Sequence, residues 1–253
     1  MNSKIKKQLI TRILYLAEQS KEGHIPSALS ILDILISVYK HINIDKVKLG
    51  LDDRDFFILS KGHGSLALYV VLEFFGFYKK NLLDNFCKYN SRFGGHPDSV
   101  KINGVEMSTG SLGHGMPFAA GVAYAKKLRN LKGKVICLIG DGECNEGTIW
   151  ETSLLVNHHK LNNFTCILDN NLSTSRSLDL KNIKKKFESF GFETFNVDGH
   201  NSNKIKKLLE KKNKSPKMII ANTIKGKGIK IMENNPEWHH KSINKQFIIK
   251  NLK

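Results

Sequence analysis

The chain has 253 residues, of which 40% are hydrophobic and 25% are charged. These proportions are typical of a folded globular domain and exclude collagen-like and low-complexity chains, and no apolar run approaches the roughly twenty residues that span a bilayer. The formal net charge of +17 is unusual, so a polyanionic partner has to be considered.

Apolar periodicity and turn residues predict alternating helices and strands along the chain. We expect helices over 3–20, 28–40, 65–76, 81–90, 116–131, 147–160, 179–190 and 202–212. We expect strands over 55–60, 134–139, 164–168, 192–197 and 217–222, with irregular segments at 91–114 and after residue 222. This alternation predicts one α/β domain over residues 1–253, with a doubly wound parallel sheet and helices on both faces.

The lysines are densest in two runs, Lys181–Lys186 and Lys204–Lys217. Ile and Leu recur between them at helical spacing, which favours the solvated outer faces of amphipathic helices. A basic nucleic-acid-binding protein remains the alternative from another functional class, and retention on polyanions that falls with salt would support it.

The four cysteines show no Cys-x-x-Cys spacing. Cys137 and Cys166 fall inside predicted buried strands, where a free thiol behaves as a small apolar residue. The N-terminal segment lacks the features of a secretory signal. We therefore expect a cytoplasmic protein without a membrane partner.

Polar residues follow two neighbouring predicted strands. The segment Gly140–Gly147 (GDGECNEG) follows one strand, and Asp169-Asn170-Asn171 ends the next. A carboxylate from Asp141 and an amide from Asn171 would place two hard oxygens at one sheet edge, which suits Mg²⁺. Glycine at the start of the next helix lets a phosphate approach, so the pattern indicates a metal-bridged diphosphate. Gly-Asp-Gly alone is equally typical of a simple turn.

Several histidines lie at the predicted ends of helices and strands, namely His24, His63, His96, His114 and His239. Ligands of open α/β sheets bind in the crevice at the carboxyl ends of the strands, which favours a functional role for these histidines. Their spacing is not that of a zinc site, so proton handling on a hydroxylated substrate fits better. A structural or surface role is the alternative for any one of them.

Six ordered segments carry a family resemblance. They are Glu22–Pro26 (EGHIP), Ser60–Gly64 (SKGHG), Gly95–Pro97 (GHP), Gly104–Gly113 (GVEMSTGSLG), the Gly140–Asn171 metal motif, and Lys225–Gly228 with Trp238-His239. Together they resemble the N-terminal diphosphate-binding domain of transketolase, a thiamin-diphosphate enzyme. The resemblance runs from the first helix to about residue 245 and implies the thiamin-diphosphate-binding fold, in its diphosphate (PP) module.

The resemblance implies the site residues and the cofactors thiamin diphosphate and Mg²⁺. Asp141, Asn171 and the backbone carbonyl of Ser173 would bind Mg²⁺. The residues expected to contact the cofactor are His63, Gly110, Ser111, Leu112, Gly142, Glu143, Asn171 and His239. The expected catalytic residues are His24, His96 and His239, facing the sugar oxygens, and Glu146, in an acidic network that links two cofactors. A charge at a helix N-terminus is the alternative for Glu146.

In the resembled family a second, pyrimidine-binding domain follows the Trp-His segment, and few residues remain here after His239. We therefore expect the N-terminal subunit of a split transketolase, acting with a separate pyrimidine-domain chain as an α2β2 assembly. It would transfer a two-carbon ketol unit between sugars or sugar phosphates in carbohydrate metabolism, with no nucleic-acid partner. The alternatives are a deoxyxylulose-phosphate synthase, the E1 component of a 2-oxo-acid dehydrogenase, or a catalytically silent subunit.

The chain departs from the family pattern at several positions. The proline of Ile25-Pro26-Ser27 is shifted by one, His114 occupies a common glutamine position, and His240 replaces a common glycine. The segment after Asn171 is also less rich in isoleucine. These differences concern contacts with the substrate more than binding of the cofactor.

Overall fold

Five short segments form the strands of one parallel sheet. They are β1 (Phe56–Leu59), β2 (Val135–Gly140), β3 (Phe164–Asn170), β4 (Glu193–Asp198) and β5 (Lys217–Asn222), arranged in the order β1-β2-β3-β5-β4. Every neighbouring pair is parallel. The computed structural model describes residues 3–175 and 178–252.

Helices connect and flank these strands. They are α1 (Ser3–Ser20), α2 (Ile25–Tyr39), α3 (Ile44–Lys48), α4 (Ser65–Phe74), α5 (Lys80–Leu83), α6 (Gly115–Leu128), α7 (Gly147–His158), α8 (Ile183–Ser189), α9 (Ser202–Glu210) and α10 (Lys245–Asn251). In the described part of the chain, none of the helices has the length and apolar character needed to cross a bilayer.

The core lies in two layers, one on each face of the sheet. Ile136 and Leu138 point to the face covered by α1, α2, α4 and α9. Val135, Cys137 and Ile139 point to the opposite face, which α6, α7 and α8 cover. This alternation along β2 confirms the predicted doubly wound sheet with helices on both faces.

The central strands carry the buried cysteines predicted from the sequence. All six residues of β2 are buried, and Cys137 pairs in register with Cys166 of β3. Both thiols are free and inaccessible to solvent. They pack as small apolar side chains.

Some predicted helix boundaries are wrong. The second helix begins at Ile25, before the predicted residue 28, because Pro26 fits its first turn. The helix predicted over 81–90 is limited to α5, which ends at Leu83 and is followed by turns in which Cys87 and Asn90 adopt positive φ angles of 53° and 57°. The chain then turns back, and the Cys87 N–H donates to the Phe93 carbonyl at 2.8 Å.

Two short helices were not predicted. Asn43 caps α3 through a bond from the Lys46 N–H to its side chain, and Asn244 caps α10 in the same way for Phe247. The second of these lies in the tail predicted to be irregular. Helices of five and seven residues are too short to show a clear apolar period.

The lysine runs lie mostly on solvated faces, as predicted. In α9, Ile205 and Leu209 are buried while the lysines between them are exposed. Lys217 is an exception, because it opens the inner strand β5 and is 1% exposed. Its ammonium donates to the carbonyl of Leu208 at 2.8 Å and also to that of Lys211, which replaces the expected contact with water.

Candidate active site

Two neighbouring strands bring the predicted metal residues to one edge of the sheet. Gly140, the last residue of β2, pairs in register with Asp169 of β3. Asp141 and Asn171 therefore follow adjacent strands at the same level of the sheet. Both are buried, with exposed fractions of 3% and 7%.

Ser173 joins these two side chains. Its hydroxyl donates to Oδ1 of Asp141 at 3.0 Å, and its backbone N–H donates to Oδ1 of Asn171 at 3.1 Å. All three residues predicted to bind a metal thus lie together. The role of the Ser173 carbonyl as a ligand stays a prediction.

The Asp141 carboxylate has one oxygen without a partner. Its Oδ1 accepts from Ser173 and from the Gly142 N–H, whereas its buried Oδ2 has no hydrogen bond among the described residues. A buried anionic oxygen without a partner is costly unless a cation completes it. With the carboxylate and amide oxygens beside it, the donor set fits Mg²⁺, which prefers hard oxygen ligands.

A second carboxylate, that of Asp169 at the end of β3, holds the side chains at this edge of the sheet in place. It is fully buried and accepts hydrogen bonds from Lys61 at 2.5 Å and from Ser30 at 2.7 and 2.9 Å, and also from Thr223. The Asn171 amide nitrogen donates to Asp169 Oδ2 at 2.9 Å, so the amide orientation is fixed. Sequence reasoning gave Asp169 and Lys61 no role, although both stood inside the quoted motifs.

His63 lies in the short 3₁₀ turn that follows β1. Burial, reinforced by the positive charge of Lys61, lowers its pKa to about 2. The imidazole is therefore neutral at physiological pH. It offers a neutral donor and acceptor beside the sheet edge, without adding a charge.

Three of the predicted histidines form a group. The ring centroids of His24 and His63 are 5.7 Å apart, those of His24 and His239 are 6.0 Å apart, and those of His63 and His239 are 6.5 Å apart. They come from the start of α2, the turn after β1 and the segment before α10. The fold therefore collects histidines from both ends of the sequence in one crevice.

Two charged residues orient the outer histidines. The Glu22 carboxylate lies 2.7 Å from Nδ1 of His24, and this hydrogen bond is the main reason that the pKa of Glu22 falls to about 2. Nζ of Lys225 lies 2.8 Å from Nδ1 of His239. Burial and the nearby charge of Lys61 lower the pKa of Lys225 to about 8. Sequence reasoning assigned neither partner.

A cavity of about 280 Å³ adjoins both groups. Asn171, Ser173, Lys225 and His239 are among the residues that line it. Asn171 and Ser173 of the predicted metal site therefore share this cavity with His239, whereas Asp141 lines a smaller one beside it. The positive charge of Lys225, which lines the cavity, favours an anion there.

His96 lies on the long irregular connection, against Gly110. A Cβ atom on Gly110 would lie 3.3 Å from Cδ2 of His96. A Cβ atom on Gly62 would lie 2.9 Å from the Gly110 nitrogen, so this loop rests on the turn that holds His63. Gly110 and the two residues after it, Ser111 and Leu112, are exposed.

Glu143 is buried in the turn that follows β2. Its carboxylate is 1% exposed and accepts from the Ser60 hydroxyl at 2.5 Å and from the N–H groups of Gly113 and Gly140 at 2.9 and 2.8 Å. Both oxygens are occupied within the protein. The side chain therefore braces the sheet edge, and its contact with a cofactor stays a prediction.

Glu146 and His114 lie at helix starts. Glu146 is exposed at the N-cap position of α7, where its charge favours the helix dipole. Its role in an acidic network between cofactors stays a prediction. His114 is exposed at the N-cap of α6 and its Nδ1 lies 2.9 Å from the Leu112 carbonyl, so it is separate from the histidine group.

Comparison with known proteins identifies the family. Residues 5–252 match the family model described as "Transketolase, thiamine diphosphate binding domain". The chain is 39% identical over 227 residues to one subunit of the apulose-4-phosphate transketolase of Actinobacillus succinogenes, an alignment that covers 87% of this chain and 82% of that protein. It is 33% identical over 233 residues to the 6-deoxy-6-sulfo-D-fructose transketolase subunit SqwG of a Clostridium species, covering 88% and 85%.

A solved structure gives the same result for the fold. The crystal structure of transketolase from Campylobacter jejuni superposes with a TM-score of 0.86 at 33% identity. The match covers 100% of this chain and 43% of that one, so the chain spans less than half of the longer enzyme. This chain belongs to the transketolase family and corresponds to its thiamin-diphosphate-binding domain.

Proposed function

We propose that this chain is the N-terminal subunit of a two-chain transketolase that uses thiamin diphosphate and Mg²⁺. The reaction would transfer a two-carbon ketol unit from a ketose to an aldose, either of which is a sugar or a sugar phosphate. The observation that carries this proposal is the buried, unpartnered Oδ2 of Asp141 beside Asn171 and Ser173. It lies next to a crevice that combines positive charge with a group of histidines.

The proposed cofactor contacts follow the cavity. Asp141, Asn171 and the Ser173 carbonyl would bind Mg²⁺, and His63 with the Gly142 backbone would contact the diphosphate. A Cβ atom on Gly142 would come within 3.1 Å of Thr174, so a side chain here would crowd the approach of a phosphate. The exposed loop residues Gly110, Ser111 and Leu112 would lie along the organic part of the cofactor. When bound, thiamin diphosphate supplies the electron sink for cleaving a carbon–carbon bond.

We assign opposite hydrogen-bonding roles to His24 and His239. Glu22 is ionised, so it accepts the Nδ1 proton of His24, which leaves Nε2 as the ring nitrogen that can accept. The Lys225 ammonium donates to Nδ1 of His239, so Nε2 of that ring carries the proton. The ring centroids of these two histidines are 6.0 Å apart. One ring that accepts and one that donates a proton suit proton transfer to and from a polyhydroxylated substrate.

We propose that a separate chain with a pyrimidine-binding domain completes the enzyme as an α2β2 assembly. Two relatives of similar extent are named as transketolase subunits. Apolar side chains on α6 and α7 are also accessible here: Phe118 is 41% exposed, Leu128 65%, Leu154 60% and Leu155 56%. A concentration of exposed large apolar residues is typical of a subunit interface.

The purified chain tests this proposal in two steps. Thiamin diphosphate with Mg²⁺ should raise its melting temperature, and the chain alone should show negligible ketol transfer. Adding a separate pyrimidine-domain protein should restore transfer. Full turnover by the isolated chain would refute the two-subunit proposal, and absence of any stabilisation by the cofactor would refute the cofactor assignment.

A further inference from the structure

Three potential metal ligands meet at the outer edge of the histidine group. Glu22, His24 and His240 each offer one ligand atom, and these atoms lie within 4.8 Å of one another. No other group of three such ligands occurs among residues 3–175 and 178–252. The group is distinct from the Asp141 site, because none of its members comes from the ends of β2 or β3.

The distances are close to those of a bound zinc ion. Nε2 of His240 lies 3.5 Å from Oε1 of Glu22, and Nδ1 of His24 lies 2.7 Å from the same oxygen. Zinc bonds of 2.0–2.2 Å in a tetrahedron separate neighbouring ligand atoms by about 3.3 Å. His240 is already at this separation from Glu22, and the His24–Glu22 pair would open by about 0.6 Å.

Backbone contacts hold the three residues in place. The N–H groups of Gly23 and His24 donate to Oε1 of Glu22 at 2.9 and 3.1 Å, which fixes the carboxylate. The Lys241 N–H donates to the Gly23 carbonyl at 3.3 Å. A Cβ atom on Gly23 would lie 2.8 Å from the carbonyl carbon of His240, so glycine permits this close approach. The site therefore has an outer shell that orients its ligands.

We propose that Glu22, His24 and His240 form a binding site for one divalent cation of the zinc class. Two imidazoles and one carboxylate favour zinc over magnesium, because imidazole is a ligand of intermediate softness. Three protein ligands leave a fourth position for water. His240 is exposed, which gives the ion a path from solvent.

Bound zinc takes the place of the proton between His24 and Glu22, and that proton moves to Nε2 of His24. Nε2 is then a donor and can no longer accept a proton from the substrate. Zinc is therefore an inhibitor of ketol transfer that does not displace the cofactor. This consequence rests on the proposed function, whereas the binding of zinc does not.

The test is zinc binding to the full chain, without cofactor or partner, measured by competition with a chromophoric chelator. We expect one tight site per chain that millimolar Mg²⁺ does not displace. His240→Gly and Glu22→Gln should each weaken it at least about 100-fold, since loss of an outer-shell partner alone costs about 10–100-fold. Co²⁺ in place of zinc should give the visible absorption of a four-coordinate site in the parent chain and lose it in His240→Gly.

Two matched variants serve as controls. His158 faces His159 at a centroid separation of 4.9 Å, without a third ligand, so His158→Ala should leave the affinity unchanged. Asp141→Asn should also leave it unchanged, which separates this site from the proposed Mg²⁺ site. Circular dichroism establishes that each variant is folded. Equal affinity in the parent chain and in His240→Gly overturns the proposal, as does equal loss in His158→Ala.

Discussion

Nζ of Lys61 lies 2.5 Å from Oδ2 of Asp169, and both side chains are almost completely shielded from water. This ion pair joins the turn after β1 to the end of β3, directly below the residues of the candidate metal site. Because Asp169 also fixes the Asn171 amide, the pair determines the geometry of the site.

We predict that Lys61→Met destabilises the fold by about 3–5 kcal/mol, because it leaves the Asp169 charge buried without its cationic partner. Chemical denaturation measures this change in the free energy of unfolding. The exposed pair Lys206–Glu210 gives the matched control, and Lys206→Met should cost less than about 0.5 kcal/mol. A cost below about 1 kcal/mol for Lys61→Met would show that water or other hydrogen-bond donors replace the Lys61 ammonium at Asp169.

We predict that Asp141→Asn abolishes stabilisation by thiamin diphosphate with Mg²⁺. At a ligand concentration 100-fold above Kd, the parent chain should gain about 2.7 kcal/mol, and the variant should gain nothing. Without ligand the variant should be at least as stable as the parent, because a buried charged oxygen without a partner is removed. Asp198→Asn, at the end of β4, is the control and should keep the full gain. Melting curves with and without the ligand measure this gain in the parent chain and in both variants.

We predict that His63 makes the protein less stable as the pH falls below 6.5. Its pKa is lowered from 6.5 to about 2 in the folded chain, so in this window the unfolded chain binds a proton that the native chain does not. The free energy of unfolding should therefore fall by at most about 1.4 kcal/mol per pH unit. Burial also lowers the pKa values of His41 and His239, which act in the same direction, so the part due to His63 is the difference between the parent chain and His63→Gln.

His63→Gln should flatten this part of the stability profile, measured by denaturation at several pH values. The exposed His114 gives the control, and His114→Gln should keep the slope of the parent chain. An unchanged slope in His63→Gln would mean that His63 takes up its proton in the native state.

We predict that His96→Ala lowers ketol transfer by about 10²–10⁴-fold in the enzyme reconstituted with its partner, as expected for the loss of a general acid–base. Cofactor affinity, measured by the shift in melting temperature, should change little. His158→Ala, on the far end of α7, is the control and should keep full activity. If His96→Ala retains donor turnover, the assignment of this histidine is wrong.

Much of the sheet could be predicted from the sequence, because its inner strands are continuous apolar runs that end abruptly in polar residues. The run before Asp141 and the run before Asn171 had the length of strands, and parallel pairing brings such ends together. The residues after Leu83 were harder. Their composition allows a helix, but the chain leaves α5 after Leu83 and turns, and the positive φ angles at Cys87 and Asn90 exclude a continuous helix to residue 90.

The polar network below the site was not predictable in the same way. Lys61 stands in a glycine-rich turn, where a lysine is ordinarily exposed, and its burial depends on Asp169 more than one hundred positions later. The pairing of Lys225 with His239 likewise depends on a tertiary contact. Local pattern identifies residues capable of chemistry, but their partners come from the packing of distant segments.

His24 and His239 come from opposite ends of the sequence and meet because two backbone hydrogen bonds tie those ends together. The Gly226 N–H donates to the Pro26 carbonyl at 3.0 Å, and the Lys241 N–H donates to the Gly23 carbonyl at 3.3 Å. During synthesis this pocket cannot exist until residues 225–241 have left the ribosome, long after β2 and β3 have emerged. Proteolytic cleavage within residues 225–241 would likewise separate His239 from His24 and open the histidine crevice, while the sheet stayed intact.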